Sequence, residues 1–166
     1  MTPVLISVGS NMKDPRVQVQ KAVKELNEHY EHVQMSSLYL TQPVGPVSQA
    51  SFVNATVYFE TDQNALEVLD NLLEIERQAG RDRISETPKG PRILDLDIIL
   101  FGKEIWSDKV LSIPHPRFRE RRFVLEPASE IASNMLDPLT DKTIARLLSE
   151  CTDRCSITPL AERIDV

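Results

Sequence analysis

An α+β fold, an antiparallel sheet backed by helices, is predicted by three features of the sequence. Short stretches of alternating or continuous apolar residues read as strands, and between them two stretches repeat at helical spacing. The elements follow in the order strand, helix, strand, strand, helix, strand. The last of these strands, Gly90-Pro91-Arg92-Ile93-Leu94-Asp95-Leu96-Asp97-Ile98-Ile99-Leu100-Phe101-Gly102, is a glycine-bounded apolar run of the kind buried on both faces.

Taken in order, Val4 to Val8 is a short apolar run that stops at Gly9-Ser10-Asn11, a strand and then a turn. Asp14-Pro15 supplies a cap and a first helical residue, and Val19, Ala22, Val23, Leu26 and Tyr30 follow at helical spacing, ending at about His29. The Gly-Ser-Asn turn lacks the second glycine and the lysine of a phosphate-cradling loop, which excludes that motif. Val33 to Leu40 reads as the second strand and Phe52 to Glu60 as the third. The proline- and glycine-rich loop from Thr41 to Ala50 between them exceeds a tight hairpin, and loops of this length are often functional. On the third strand Val53, Ala55, Val57 and Phe59 form the core face, leaving Phe52, Asn54 and Thr56 on the other. An aromatic beside an amide suits a planar, hydrogen-bonding ligand, or both simply pack under the loop.

Asn64 with Glu67 resembles a capping box opening a second helix, with Leu66, Leu69, Leu72 and Leu73 as its stripe and Gly80 as its end. Glu76 continues that stripe inward near a helix terminus that disfavours acids, so it needs a cationic partner; Arg81 and Arg83 are near. After Gly102, Lys103 to Trp106 reads as a small edge strand and Pro114-His115-Pro116 as a rigid turn. Leu136-Asp137-Pro138 is a further turn. Asp141 caps a last helix with Ile144, Leu147 and Leu148 inward, and residues from about 152 to 166 read as a loosely held tail. No repeat or linker divides residues 1–166, so one domain suffices. The element order is that of a ferredoxin-like βαββαβ core with an antiparallel sheet and extra C-terminal elements.

On the glycine-bounded strand, alternation places Leu94, Leu96, Ile98 and Leu100 on one face and Ile93, Asp95, Asp97, Ile99 and Phe101 on the other. Asp95 and Asp97 therefore point the same way, with Cα atoms about 6.5 Å apart. Two unpaired carboxylates in a buried strand cost several kcal/mol each. Three readings remain open: an ion pair with Arg92 and its neighbours, an edge strand facing water, or a divalent-metal site.

Composition narrows the class. With 41% hydrophobic and 27% charged residues the chain is ordinary for a globular protein, and no apolar run reaches the length of a membrane span. The start has no basic region ahead of its apolar run and does not read as a signal peptide. Cys151 and Cys155, with no histidine near them, read as free thiols in a reducing cytoplasm. A net charge of −6 argues against nucleic acid as a partner. Yet basic residues gather at Arg77, Arg81, Arg83, Lys89 and Arg92, and again at Arg117, Arg119, Arg121 and Arg122. An acidic chain that collects arginine around one acid-bearing strand suggests a phosphate site, against the alternative of a solvated basic face. Paired carboxylates, arginines and polar loops are what phosphoryl transfer uses. His115 has the chemistry of a general base, but beside arginines it suits a hydrogen bond to phosphate.

The strand Gly90 to Gly102 closely resembles the signature of the 6-hydroxymethyl-7,8-dihydropterin pyrophosphokinases of folate biosynthesis. Further matches come in that family's order: Gly9-Ser10-Asn11, Thr41 to Pro46, Phe52-Val53-Asn54-Ala55, Glu76, Gly80 to Arg83, Pro114 to Arg117 and Arg121-Arg122-Phe123. The resemblance covers about Val4 to Leu148. It implies transfer of pyrophosphate from ATP to the pterin hydroxymethyl oxygen, with release of AMP, by a monomer. It further implies two Mg²⁺ ions on Asp95 and Asp97, with Arg81 and Arg92 supporting the transition state. Phe52 and Phe123 would sandwich the pterin, and Asn54, Thr41, Pro43, Val44, Gly45 and Asp95 would complete its site. Glu76, Arg83, Lys89, Arg92, Ile98, Ser112, His115 and Arg121 would form the ATP site. Loops 9–13, 44–50 and 83–90 would close over the substrates. Many members carry a basic residue and a tryptophan before Gly-Pro-Arg; here Pro88 and Lys89 stand there, so a cation replaces an aromatic lid contact. Two rivals are an idle ferredoxin-like binding domain and a magnesium-dependent nuclease using the same acids.

Overall fold

The computed structural model describes residues 1–160. Strand β1 (Thr2–Ser10) leads into helix α1 (Pro15–His29), whose cap is Asp14 as expected, and then into β2 (Glu31–Met35), β3 (Tyr39–Thr41) and β4 (Phe52–Thr61). Helix α2 (Ala65–Gln78) opens with the full Asn64–Glu67 capping box, and β5 (Asp95–Phe101) follows. The remainder comprises the hairpin β6 (Trp106–Ser107) and β7 (Ser112–Ile113), a 3₁₀ turn (Phe118–Glu120), α3 (Arg122–Ala132), the hairpin β8 (Leu136–Asp137) and β9 (Lys142–Thr143), α4 (Ile144–Glu150) and β10 (Ile157–Pro159). No helix among the described residues is long and apolar enough to cross a membrane.

The main sheet runs β10-β3-β4-β1-β5, with β2 also paired to β4, and its strand pairings are antiparallel. With β2 and β3 counted as one interrupted strand this is the ferredoxin-like order. The sequence predicts one strand from Val33 to Leu40, and the interruption has a local cause. At Ser36 the N–H donates to the Thr56 carbonyl while the Ser36 hydroxyl accepts from the Thr56 N–H, so a side chain replaces part of the ladder.

One face of the sheet carries α1 and α2. Val4, Ile6 and Val8 of β1, Val53, Ala55, Val57 and Phe59 of β4, and Leu96 and Ile98 of β5 meet Val19, Val23 and Leu26 of α1 and Val68, Leu72 and Ile75 of α2. The α2 stripe is rotated from the expected one: Ala65, Val68, Leu72, Ile75 and Glu76 are buried, whereas Leu66 and Leu73 are exposed. The repeat of three and four residues starts at Ala65, which the leucine-only count passed over.

The opposite face is divided. At one end Leu5, Ile99 and Leu100 pack under α3 and α4 through Phe118, Val124, Leu125, Ala128, Ile144 and Leu147; at the other end it is polar and open. Helix α3 was not expected, because Pro127 lies inside it and masks a periodicity whose buried residues are Val124, Leu125, Ala128 and Ala132. A bulge also corrects the face assignment of β5. Leu5 lies opposite Leu100 but Ile6 opposite Ile98, so Ile99 is the extra residue. Leu100 therefore joins the α3 side and Phe101 the α1/α2 core, the reverse of simple alternation. The Ile99 carbonyl accepts from the His115 N–H (3.0 Å) and fixes that loop beside the strand.

Two further expectations are corrected. Thr143, not Asp141, caps α4, since its side chain accepts from the Arg146 N–H. The expected loose tail from residue 152 contains β10, which pairs with β3; the rest of that tail, 161–166, lies outside the described residues. The β8–β9 hairpin is tied to the arginine-bearing turn by Asp137, which is fully buried and takes two bonds from Arg119 (2.6 and 2.7 Å), one from the Thr140 hydroxyl (2.6 Å) and one from the Leu139 N–H (3.1 Å). Asp137→Ala is expected to destabilise the fold by about 3 kcal/mol, because it strands several donors at once. Urea unfolding checks this, and a loss under about 0.5 kcal/mol would contradict the bracing role.

Candidate active site

The open end of the sheet is organised in rows set by strand register. Asp97 lies beside Ser7, which lies beside Thr56; Asp95 lies beside Gly9, which lies beside Asn54, which lies beside Tyr39. Small residues on the central strand thus leave a floor between the acids of β5 and the amide of β4. The floor is tight. A Cβ on Gly9 would meet Asn54 Oδ1 at 2.4 Å, while Asn54 Nδ2 donates to the Thr41 hydroxyl (2.6 Å). The Asn54 amide is therefore held flat over Gly9, with Phe52 one position along the same face.

Above this floor is a cavity of about 120 Å³. That is room for roughly four waters at liquid density, the scale of a small ligand group and not of a nucleic-acid groove. Its lining combines Thr41, Val44, Phe52, Asn54 and Phe123 with Lys89, Arg92, Asp95, Asp97, His115, Arg117 and Arg121. Phe123 is brought in by the first turn of α3, and the Arg121 guanidinium lies 5.6 Å from its ring centre. Glu130, two turns further along α3, accepts from the Ser37 N–H (2.8 Å) and from the Tyr39 hydroxyl, which ties this helix to the sheet edge carrying Thr41.

The two acids differ in state. Asp95 Oδ1 accepts from Arg81 Nη1 (2.7 Å) and Oδ2 from Arg92 Nη1 (2.9 Å). Burial pushes its pKa up, but Arg92 and Arg81 outweigh this and hold it below the usual range. Asp97 makes no hydrogen bond or ion pair among the described residues. Burial, then the charges of Asp95 and Glu76, raise its pKa to about 7, against the opposing pull of Arg83 and Arg121. This carboxylate is a hard donor without a partner. Among the described residues no third histidine, cysteine, aspartate or glutamate joins the pair. Such a doublet fits Mg²⁺, which takes one or two carboxylates and completes its shell with phosphate oxygens and water.

On the cationic side, neither Lys89, Arg117 nor Arg121 forms an ion pair among the described residues, and Arg92 Nε is buried without a partner. Four cations thus line the cavity against two carboxylates. His115 is held neutral: burial first, then Arg121, lower its pKa to about 4. Its Nδ1 accepts from the Arg117 N–H (3.2 Å), which leaves Nε2–H as a donor.

The expected site residues do not all converge. Arg81 lies behind Asp95, outside the cavity lining, with its guanidinium bonded to Glu76 (2.9 Å), Glu86 (2.7 Å), Asp95 and the Leu94 carbonyl (3.1 Å). Glu76, expected in the nucleotide site, is a buried anchor: it accepts from Arg81, from Arg83 (2.8 Å) and from the Leu96 N–H (2.8 Å). Burial outweighs those bonds and raises its pKa. The Ile98 side chain belongs to the α1/α2 core, so only its backbone can meet a ligand. Pro43, Gly45, Arg83 and Ser112 also lie off the cavity lining, although Gly45 (φ +108°) turns the loop so that Lys89 packs against it. Lining residues that the sequence reading did not assign individually to the site are Ser7, Gly9, Gln42, Gln49, Gly90, Ile99, Arg117 and Val124. Ser7 was accessible from the alternation of β1, whereas Gln49 is held by long-range bonds: its Oε1 accepts from Asn11 Nδ2 (2.8 Å) and its Nε2 donates to the Lys89 carbonyl (2.8 Å), while Asn11 Oδ1 accepts from the Arg92 N–H (2.8 Å).

Comparison with known proteins agrees with this geometry. Residues 5–133 match the sequence model of the 7,8-dihydro-6-hydroxymethylpterin-pyrophosphokinase family. The chain is 37% identical over 155 residues to a 2-amino-4-hydroxy-6-hydroxymethyldihydropteridine pyrophosphokinase of Haemophilus influenzae, covering 92% of this chain and 95% of that one. It is 41% identical over 132 residues to the protein of that name from Bacillus subtilis, 78% of each chain. In fold it resembles the HPPK-DHPS of Plasmodium falciparum crystallised with SDX-DHP (TM-score 0.66, 17% identity), covering 90% of this chain and 43% of that longer one. The acid pair on β5, the aromatic and amide groups facing it across the floor, and the match over residues 5–133 together show that this chain belongs to the 7,8-dihydro-6-hydroxymethylpterin-pyrophosphokinase family.

Proposed function

We propose that this chain, acting as a monomeric single domain in the cytoplasm, transfers the pyrophosphoryl group of ATP to the hydroxymethyl oxygen of 6-hydroxymethyl-7,8-dihydropterin in folate biosynthesis. One observation carries the reading: a single small cavity joins an aromatic and amide slot to unpaired cations and an unpaired carboxylate. The slot takes the pterin between Phe52 and Phe123, with Asn54 and Thr41 at its hydrogen-bonding edge and Val44, flanked by Pro43 and Gly45, closing over it. Lys89, Arg92, Arg121 and the His115 Nε2–H take the triphosphate. Arg83, Ser112 and the Ile98 backbone, outside the cavity, meet the nucleoside end.

The pterin hydroxyl oxygen attacks the β-phosphorus in line and releases its proton to solvent, the bond from that phosphorus to the oxygen bridging the α-phosphate breaks, and AMP leaves with that oxygen. Asp95 and Asp97 would hold two Mg²⁺ ions, which neutralise phosphate charge and polarise the β-phosphoryl group. Asp95 is kept ionised and oriented by Arg81 and Arg92, so Arg81 serves the reaction through Asp95. Arg92, with Nε still free, is placed to follow charge onto the transferring group. A pKa near 4 makes His115 a hydrogen-bond donor and a poor base at neutral pH.

Incubation with the pterin, ATP and Mg²⁺ is expected to release AMP and a pterin diphosphate; no AMP above a pterin-free control would overturn the reading. Asp97→Asn is expected to abolish turnover and yet to stabilise the metal-free protein. The sign follows from the raised pKa of Asp97: between about pH 4 and 7 the native state binds more protons than the unfolded state, so wild-type stability falls as pH rises through that window. The variant lacks this loss and should be the more stable by about 2 kcal/mol at pH 8, with little difference at pH 4. Equal stability at both pH values would remove the electrostatic account. Gly9→Ala, which drives Asn54 off the floor, is expected to weaken pterin binding about 100-fold with ATP-analogue binding largely retained. Calorimetry with each ligand checks it, and unchanged pterin affinity would contradict the floor.

A further inference from the structure

The family's sequence model stops at residue 133, yet residues well beyond it bond to Gln42, which lines the cavity, and to Arg122, next to the lining Phe123. Helix α3 begins without a side-chain cap from its own chain neighbourhood, so its first N–H groups need acceptors from elsewhere. Asp153 supplies one: its Oδ2 accepts from the Arg122 N–H (3.0 Å), placing a carboxylate at the positive end of the helix. The Arg122 side chain closes the arrangement, donating from Nε to the Asp153 carbonyl (3.1 Å) and from Nη2 to the Cys151 carbonyl (3.2 Å). Asp153 Oδ1 meanwhile accepts from the Cys155 N–H (2.9 Å) and turns the segment back toward the sheet.

From that turn the segment crosses to the other wall. Gln42 Oε1 accepts from the Ser156 N–H and the Ser156 carbonyl accepts from the Gln42 N–H, both at 3.4 Å. Strand β10 then pairs Ile157 with Thr41 and Pro159 with Tyr39, and the Leu160 N–H donates to the Leu38 carbonyl (2.8 Å). Thr41 and Gln42 line one side of the cavity, while Phe123, next to Arg122, lines the other. None of these bonds reaches β5 or the loop from Arg81 to Arg92, which carry the acids, Lys89 and Arg92; of the cavity cations only Arg121 adjoins a braced residue.

We propose that residues 151–160 brace the two walls of the pterin slot at a fixed separation, with Arg122 and Asp153 as its positioning residues. This rests on the function proposed above. The brace is selective, because it holds Thr41, Gln42 and the start of α3 directly, whereas the acids, Lys89 and Arg92 are held by other elements.

Asp153→Ala removes the cap and the turn together; Asp153→Asn keeps one acceptor oxygen, enough for the cap or the turn but not for both. In the alanine variant pterin affinity is expected to fall about fivefold or more, the size of one lost hydrogen bond, with ATP-analogue affinity and kcat at saturation within about twofold. The asparagine variant, which keeps one of the two bonds, should fall between the alanine variant and the wild type. Arg122→Met, which keeps the Asp153 cap but loses the two guanidinium bonds, should show the same pattern at smaller size and serves if the alanine variant does not fold. Amide exchange on the ligand-free proteins provides a second arm: faster exchange is expected at residues 39–42 and 122–126, with β1 unchanged. A folded variant with unchanged pterin affinity and unchanged exchange would overturn the brace, as would equal weakening of both ligands. If wild-type protein binds no pterin, the functional reading fails, and the exchange arm alone decides whether the brace exists.

Discussion

The buried guanidinium of Arg81 is the constraint on which the site depends. It joins Glu76 at the end of α2 to Asp95 at the start of β5, and it also takes the Leu94 carbonyl and Glu86. Glu76 in turn accepts the Leu96 N–H, so a helix and the acid-bearing strand share one charged cluster beneath the cavity. Removing one member of such a cluster leaves an uncompensated buried charge, which costs about 3–5 kcal/mol, so these residues are coupled in stability as well as in position. The consequence for chemistry is that Asp95 is spoken for and Asp97 is not.

That asymmetry is the working principle of the site. Environments that push the pKa values of neighbouring carboxylates apart assign them different tasks. Asp95, held low by two arginines, is a fixed anion; Asp97, raised to about 7, is an acid whose charge is costly until a cation arrives. The unpaired Arg121, Arg117 and Lys89 line the same cavity. In the proposed reaction a cation on Asp97 and a polyphosphate on these residues would complete each other's contacts. At the open end of that sheet face β1 contributes Ser7 and Gly9, and that absence of bulk leaves one floor shared by the Asn54 amide and the acid pair.

Much of this was legible in the sequence. Asp14-Pro15 and Asn64–Glu67 marked helix starts because a cap is a local interaction. The pair Asp95 and Asp97 followed from strand alternation alone, and Glu76 with Arg81 and Arg83 from an acid out of place near a helix end. The failures were of long range. The bulge at Ile99 depends on how β1 sits against β5, so its reversal of Leu100 and Phe101 has no local signal. Helix α3 was hidden by Pro127, and β10 because a three-residue edge strand takes its stability from β3. Likewise Glu76 and Ile98 occupy positions that the family resemblance ties to nucleotide, yet their side chains are committed to the interior. A motif gives the position of a residue, while which of its atoms face the ligand is settled by packing.

The central claim is that the free carboxylate of Asp97, beside the anchored Asp95, receives metal when nucleotide occupies the arginine side. A crystal structure with Mg²⁺, a non-hydrolysable ATP analogue and the pterin tests it most directly. The account predicts metal density bridging both aspartates to phosphate oxygens, with Arg81 still on Asp95. Both acids bonded only to guanidinium groups, with no ion between them and the triphosphate, would contradict it.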